Sequence, residues 1–137
     1  MAILKYYNQI EYEESKFKIY EEREITKICK KLSKHFKFPL SKVKFKNMHR
    51  TLAMANFDYT LTFNKNKLID ITDICHECGH LYLFKYDNQI NRYGENTLRK
   101  HYHSKKLTRI IRKMLNYCIK NKSIMNMTYT EKSEQPL

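Results

Sequence analysis

A chain of 137 residues has room for one domain with its own hydrophobic core and none for a second. Its 27 Lys and Arg against 14 Asp and Glu leave a net charge of +13, which argues against an acidic binding partner being repelled and for a polyanion being attracted. No apolar run approaches the roughly 20 residues of a membrane span, and four cysteines without a secretory leader favour reduced thiols or metal ligands over a disulfide framework. The expectation is therefore a soluble protein, cytoplasmic or otherwise intracellular, with no membrane partner.

The acids crowd the start, at Glu11, Glu13, Glu14, Glu21, Glu22 and Glu24. From Ile10 to about Phe36 the residues Ile10, Phe17, Tyr20, Ile25, Ile28, Leu32 and Phe36 recur mostly at three- and four-residue steps, the pattern of a long helix with one buried face. Pro39 disfavours helical geometry at Phe38 and ends it. "KVKFKNM" then alternates Val43 and Phe45 with lysines, and "NFDYTLTFN" sets Phe57, Tyr59, Leu61 and Phe63 on one side. This alternation predicts two or three antiparallel strands between 42 and 64, joined around "HRTLAMA".

Helical spacing returns after "NKNK" and continues to about residue 85. On a wheel of about 100° per residue, Ile71, Ile74, Cys75, Cys78, Leu81 and Tyr82 gather on one face. His76 and His80 point together on nearly the opposite side, with Asp73 beside them and Glu77 at their flank. His76-Glu77-Cys78-Gly79-His80 is an HExxH sequence. Two imidazoles one turn apart suit a single zinc ion, and the intervening glutamate can reach a water on that ion without ligating it. Glu77 is thus the candidate general base and the zinc-activated water the nucleophile. Gly79, a poor helix former, admits close approach of another backbone, expected at the metal face. Cys75 and Cys78 sit in mid-helix on the apolar face, where small core residues are expected rather than a ribbon or a thiol-redox pair.

Residues 86 to 102 read as a long connection. A last helix is predicted from about 104 to 121, with Leu107, Ile110, Ile111, Met114, Leu115, Cys118 and Ile119 as its stripe and Lys105, Arg109, Arg112 and Lys113 opposite. Residues 1-122 form the expected domain, and 123-137 a flexible tail. No acid occurs between 25 and 57 or between 96 and 130. The basic blocks 27-50 and 99-122 make a nucleic acid the expected polyanion, through phosphate contacts.

A catalytic zinc takes three protein ligands and keeps an open position. Glu95, His101 and His103 are the downstream candidates, and spacing alone does not choose among them. His35 and His49 fall in segments whose pattern does not bring them to this helix face.

The chain resembles the SprT-like (Spartan-type) zinc metalloproteases. The likeness rests on "YTLTFNKNKLIDITDICHECGHLYLF", which is similar to that family's strand leading into its active-site helix, and on "HSKKLTRIIRKML", similar to its histidine opening a basic helix. It covers roughly residues 10 to 120. Ser104 stands where the family has glycine and Leu107 where it has an aromatic residue, and the C-terminal four-cysteine zinc module is missing. The resemblance implies an α+β, zincin-like fold: a long N-terminal helix, a small antiparallel sheet of about three strands, the HExxH helix and a C-terminal basic helix. It further implies one Zn2+ per chain held by His76, His80 and His103, and a zinc metalloendopeptidase acting on proteins associated with DNA. A substrate strand is expected to add to a sheet edge within residues 57 to 63. The alternative from another class is a basic nucleic-acid-binding protein with a structural or degenerate zinc site. Cleavage preference and oligomeric state are not encoded in any motif.

Overall fold

The computed structural model describes residues 18–87, 105–125 and 129–131. In chain order the elements are β1 (Lys18–Tyr20), α1 (Glu22–Phe36), β2 (Lys42–Lys46), β3 (Ala53–Ala55), β4 (Thr60–Asn64), α2 (Ile71–Tyr86), α3 (Lys105–Lys120), the single turn α4 (Lys122–Met125) and β5 (Tyr129–Glu131). Among the described residues the fold is α+β, with three full helices and a small sheet. Among the described residues no helix is long and apolar enough to cross a membrane.

The first helix is shorter than its periodicity suggests. Lys18–Tyr20 is extended and pairs antiparallel with Tyr129–Glu131, within the segment read as a tail. The Tyr20 N–H also donates to Ile69 O at 3.0 Å. These partners lie more than 45 residues away in sequence, so no local pattern could announce them; the helix starts only at Glu22. The rest of the expected span, residues 10–17, lies outside the described residues. At its other end Lys37 takes a left-handed conformation (φ 58°), and the Phe38 N–H donates back to Ser33 O at 3.2 Å, which satisfies a carbonyl of the last turn.

The main sheet is mixed rather than antiparallel, which corrects the expectation. Its order is β2-β4-β3, with β2 parallel and β3 antiparallel to β4. The hairpin is β3–β4, closed by the loop Phe57-Asp58-Tyr59, where Asn56 O accepts from the Tyr59 N–H at 2.9 Å. Tyr59 occupies the left-handed position (φ 64°) that glycine usually fills in such loops. Phe57 and Tyr59 therefore belong to the turn, while β4 runs from Thr60 and has all five residues buried. A central strand covered on both faces loses the alternation that its sequence led one to expect. Asn64 at its end holds the 47–52 crossover: its side-chain amide donates to Met48 O and to Thr51 O, the latter at 2.9 Å.

The core lies between the sheet's inner face and the three helices. Leu61 and Phe63 of β4 meet Ile25, Ile28 and Leu32 of α1, Ile71, Ile74 and Leu81 of α2, and Leu107, Ile111, Met114 and Leu115 of α3, all buried in one cluster. Phe45 of β2 stacks on Phe63 with centroids 5.9 Å apart. Each such side chain removed from water contributes roughly 1.5–3 kcal/mol. The helix α2 is central and buried almost all round.

Candidate metal centre

The helix that carries the histidines is firmly started. Asp70 caps it by accepting from the Asp73 N–H at 2.9 Å, and the Asp73 carboxylate accepts from the Asp70 N–H at 3.0 Å. This reciprocal box satisfies two donors that a helix N-terminus otherwise leaves unpaired. Asp73, which the wheel set beside the histidines, is thereby engaged in holding the first turn.

One turn later come His76 and Glu77, and a turn beyond them His80. The two imidazoles lie on the same side of α2, ring centroids 5.0 Å apart and tilted by 52°. His76 and Glu77 are half-buried and His80 is buried. Phe84, one turn past His80, has its ring centroid 6.4 Å from the imidazole with the planes inclined by 30°, and Phe57 from the β3–β4 turn stacks on Phe84 at 4.2 Å. The hairpin tip is thus pinned to α2 beside His80. Phe84, four residues after His80, shares its side of the helix by spacing alone, whereas Phe57 is brought there only by the hairpin.

Burial raises the Glu77 carboxyl from an ordinary value of 4.5 to about 8, with the nearby Asp73 charge adding to the effect. A carboxyl with its pKa near neutrality in such a setting is suited to moving protons at physiological pH. The charge of a bound divalent cation would oppose this shift and favour the carboxylate.

Gly79 is required for a different reason from the one expected. A Cβ there would stand 3.0 Å from Ile111 Cγ1 and 3.2 Å from Leu107 Cδ1. The glycine faces α3 and admits that helix, and it is not on the metal face. The four cysteines are free, buried thiols. Cys75 and Cys118 bring their sulfurs to 3.9 Å across α2 and α3, and burial pushes the Cys75 and Cys78 thiols well up. Thiols so disfavoured as thiolates are poor nucleophiles, as their core position in the sequence suggested. His35 is held elsewhere, stacked on Tyr117 at 4.1 Å, and His49 is exposed.

Two imidazoles one turn apart with a carboxylate between them are a donor set that suits zinc. Among the described residues no third His, Cys, Asp or Glu joins them in a group that could hold a metal ion. The three downstream candidates, Glu95, His101 and His103, lie outside the described residues. The described chain resumes at Lys105, two positions beyond His103, and its first turn packs on α2 through Leu107.

The edge expected to receive a substrate also changes. Residues 60–64 are the central strand, so the strands with an unpaired side within the three-stranded sheet are β2 and β3. Of these, β3 packs against α2. No protein family, curated protein or solved structure was found to match the chain.

Proposed function

We propose that this chain is a zinc-dependent metallopeptidase of the SprT-like, zincin type, hydrolysing peptide bonds in DNA-associated proteins. The observation that carries the reading is the HExxH sequence lying on one well-capped helix with both imidazoles on the same side and Glu77 between them. His76 and His80 would hold the ion together with His103, which of the three downstream candidates stands nearest the start of α3 in sequence. The ion, when bound, supplies a Lewis acid for the scissile carbonyl and makes a water acidic enough to lose its proton near neutral pH.

The remaining work falls to the chain's own groups. Glu77, as the carboxylate, takes the proton from the attacking water and delivers it to the departing amine. An extended substrate lies along the open side of β3, where backbone pairing orients it over α2. Phe57 and Phe84 form an apolar wall beside His80. The exposed lysines and arginines of α1, β2 and α3 draw DNA, and with it proteins bound to DNA, by counterion release.

The test is Glu77→Gln. The variant is expected to fold and to retain about one zinc per chain by elemental mass spectrometry, while cleavage of a DNA-bound protein substrate falls by about 100-fold or more. Undiminished cleavage by that variant would refute the mechanism. Full zinc retention in a His103→Ala variant would remove that residue from the ligand set and leave His101 and Glu95 to be tested in turn.

A further inference from the structure

The sequence places Tyr82 and Tyr86 one turn apart on α2, and Lys106, Arg109 and Lys113 at three- and four-residue steps on α3. Neither helix alone makes a site of them. The helices run antiparallel: Cys118 lies against Cys75 at one end, and Lys106 forms an ion pair with Asp87 at the other. That pairing brings the two tyrosines and the three cations around one cavity of about 230 Å³, with Leu83 and Ile110 as its apolar floor.

The cavity is built to hold its shape. Tyr82 and Tyr86 rings lie 4.5 Å apart, and the Tyr86 hydroxyl donates to Lys37 O at the end of α1. Lys85 stands over the Tyr86 ring at 5.0 Å and itself donates to Lys37 O at 3.3 Å. Tyr86 nevertheless keeps 48% of its surface exposed, so part of the side chain remains for a ligand. Arg109 and Lys113 are exposed beside it. One carboxylate, Asp87, also lines the cavity; its pairing with Lys106 leaves the rim positive through Arg109 and Lys113.

We infer that this cavity binds single-stranded nucleic acid, one base entering against Tyr82 and Tyr86 while Arg109 and Lys113 contact the flanking phosphates. Stacking platforms set among cations are the common chemistry of such recognition. A duplex would have to unstack a base to fill the cavity, at a cost in free energy. By helical spacing Tyr82 lies roughly 140° around α2 from the two histidines, so this site and the metal centre occupy different sides of the same helix. The inference rests on that part of the proposed function which gives the chain a nucleic-acid partner, and it is independent of the metal chemistry.

The test uses the full chain and fluorescein-labelled oligo(dT), oligo(U) and a duplex, each of about 12 nucleotides, a length within common single-strand site sizes, read by anisotropy across a salt series. Wild type is expected to bind single strands more tightly than the duplex; the DNA and RNA arms show whether the 2′-hydroxyl matters. Replacing both Arg109 and Lys113 by serine, at exposed positions that leave the core intact, should weaken single-strand binding about tenfold and reduce the salt slope by about 1.4, or 0.7 per lost phosphate contact. Tyr86→Leu, with its fold checked by circular dichroism, should weaken binding at least fivefold without changing that slope. The paired change Lys65→Ser and Lys67→Ser, at exposed positions after β4 and outside both basic blocks, should have less than a twofold effect. Equal losses from that pair, or duplex binding as tight as single-strand binding, would overturn the site in favour of a diffuse basic surface. Failure of wild type to bind any of the three oligonucleotides would overturn the nucleic-acid partner as well, whereas wild-type binding left intact by all variants would overturn the site alone.

Discussion

Glu77 illustrates how one residue's environment alters its role. In a solvated helix it would be an ordinary carboxylate; here burial and the Asp73 charge raise it to about 8. In metal-free protein the native state therefore binds a proton that the unfolded chain releases above about 4.5. Between these two values stability must fall as pH rises, by at most about 1.4 kcal/mol per pH unit for a single proton. Urea unfolding of the metal-free protein at several pH values from 5 to about 8 should show this decline, and Glu77→Gln should reduce it while leaving any histidine contribution in place. An unchanged pH profile in the variant would mean that Glu77 is not the desolvated group. Asp73 shows the limit of a helical wheel at the same scale: the direction was legible, yet its carboxylate is bound to the Asp70 N–H, a contact decided by helix capping.

The pairing of α2 with α3 is the decisive contact between elements. Both helices were readable from their periodicity because each must hide an apolar stripe, and their observed limits agree with the spacing to within a few residues. Their closeness depends on Gly79, whose missing side chain makes room for Ile111 and Leu107. Gly79→Val is expected to destabilise by roughly 1–3 kcal/mol through overpacking, read as a lower denaturation midpoint. Gly79→Ala should cost less, since improved helix propensity of about 1 kcal/mol offsets part of the clash. The same pairing forms the cavity between Tyr82 and Arg109, which neither helix's sequence displays by itself. Tyr82 is a telling case: assigned to the core face by the wheel, it is half-buried and lines that cavity.

For the whole molecule the main question is linkage between metal and fold. His76 and His80 come from a helix already capped and packed, so an ion that binds them and a third ligand only in the native state must raise stability by mass action. Zinc at 100 times its dissociation constant should add about 2.7 kcal/mol, seen as a rise in Tm that grows with zinc concentration and is lost in a His76→Ala, His80→Ala double variant. A chelator should reverse it in wild type. No zinc-dependent shift in wild type would remove the metal centre and leave the basic surface as the better account of the chain.

Local pattern was enough to announce the three helices, the strands around 42–46 and 60–64, the placing of HExxH on a helix with both histidines to one side, and the positive charge, because amphipathic periods and residue spacings are local. Tertiary structure alone decided that β4 is the sheet's centre and runs parallel to β2, that Lys18–Tyr20 leaves the first helix to pair near the C-terminus, that Gly79 faces α3, and that Tyr82 and Tyr86 meet the cations of another helix. These features depend on contacts between residues far apart in the chain, where competing packings share the same local pattern and only the burial of the whole core selects among them.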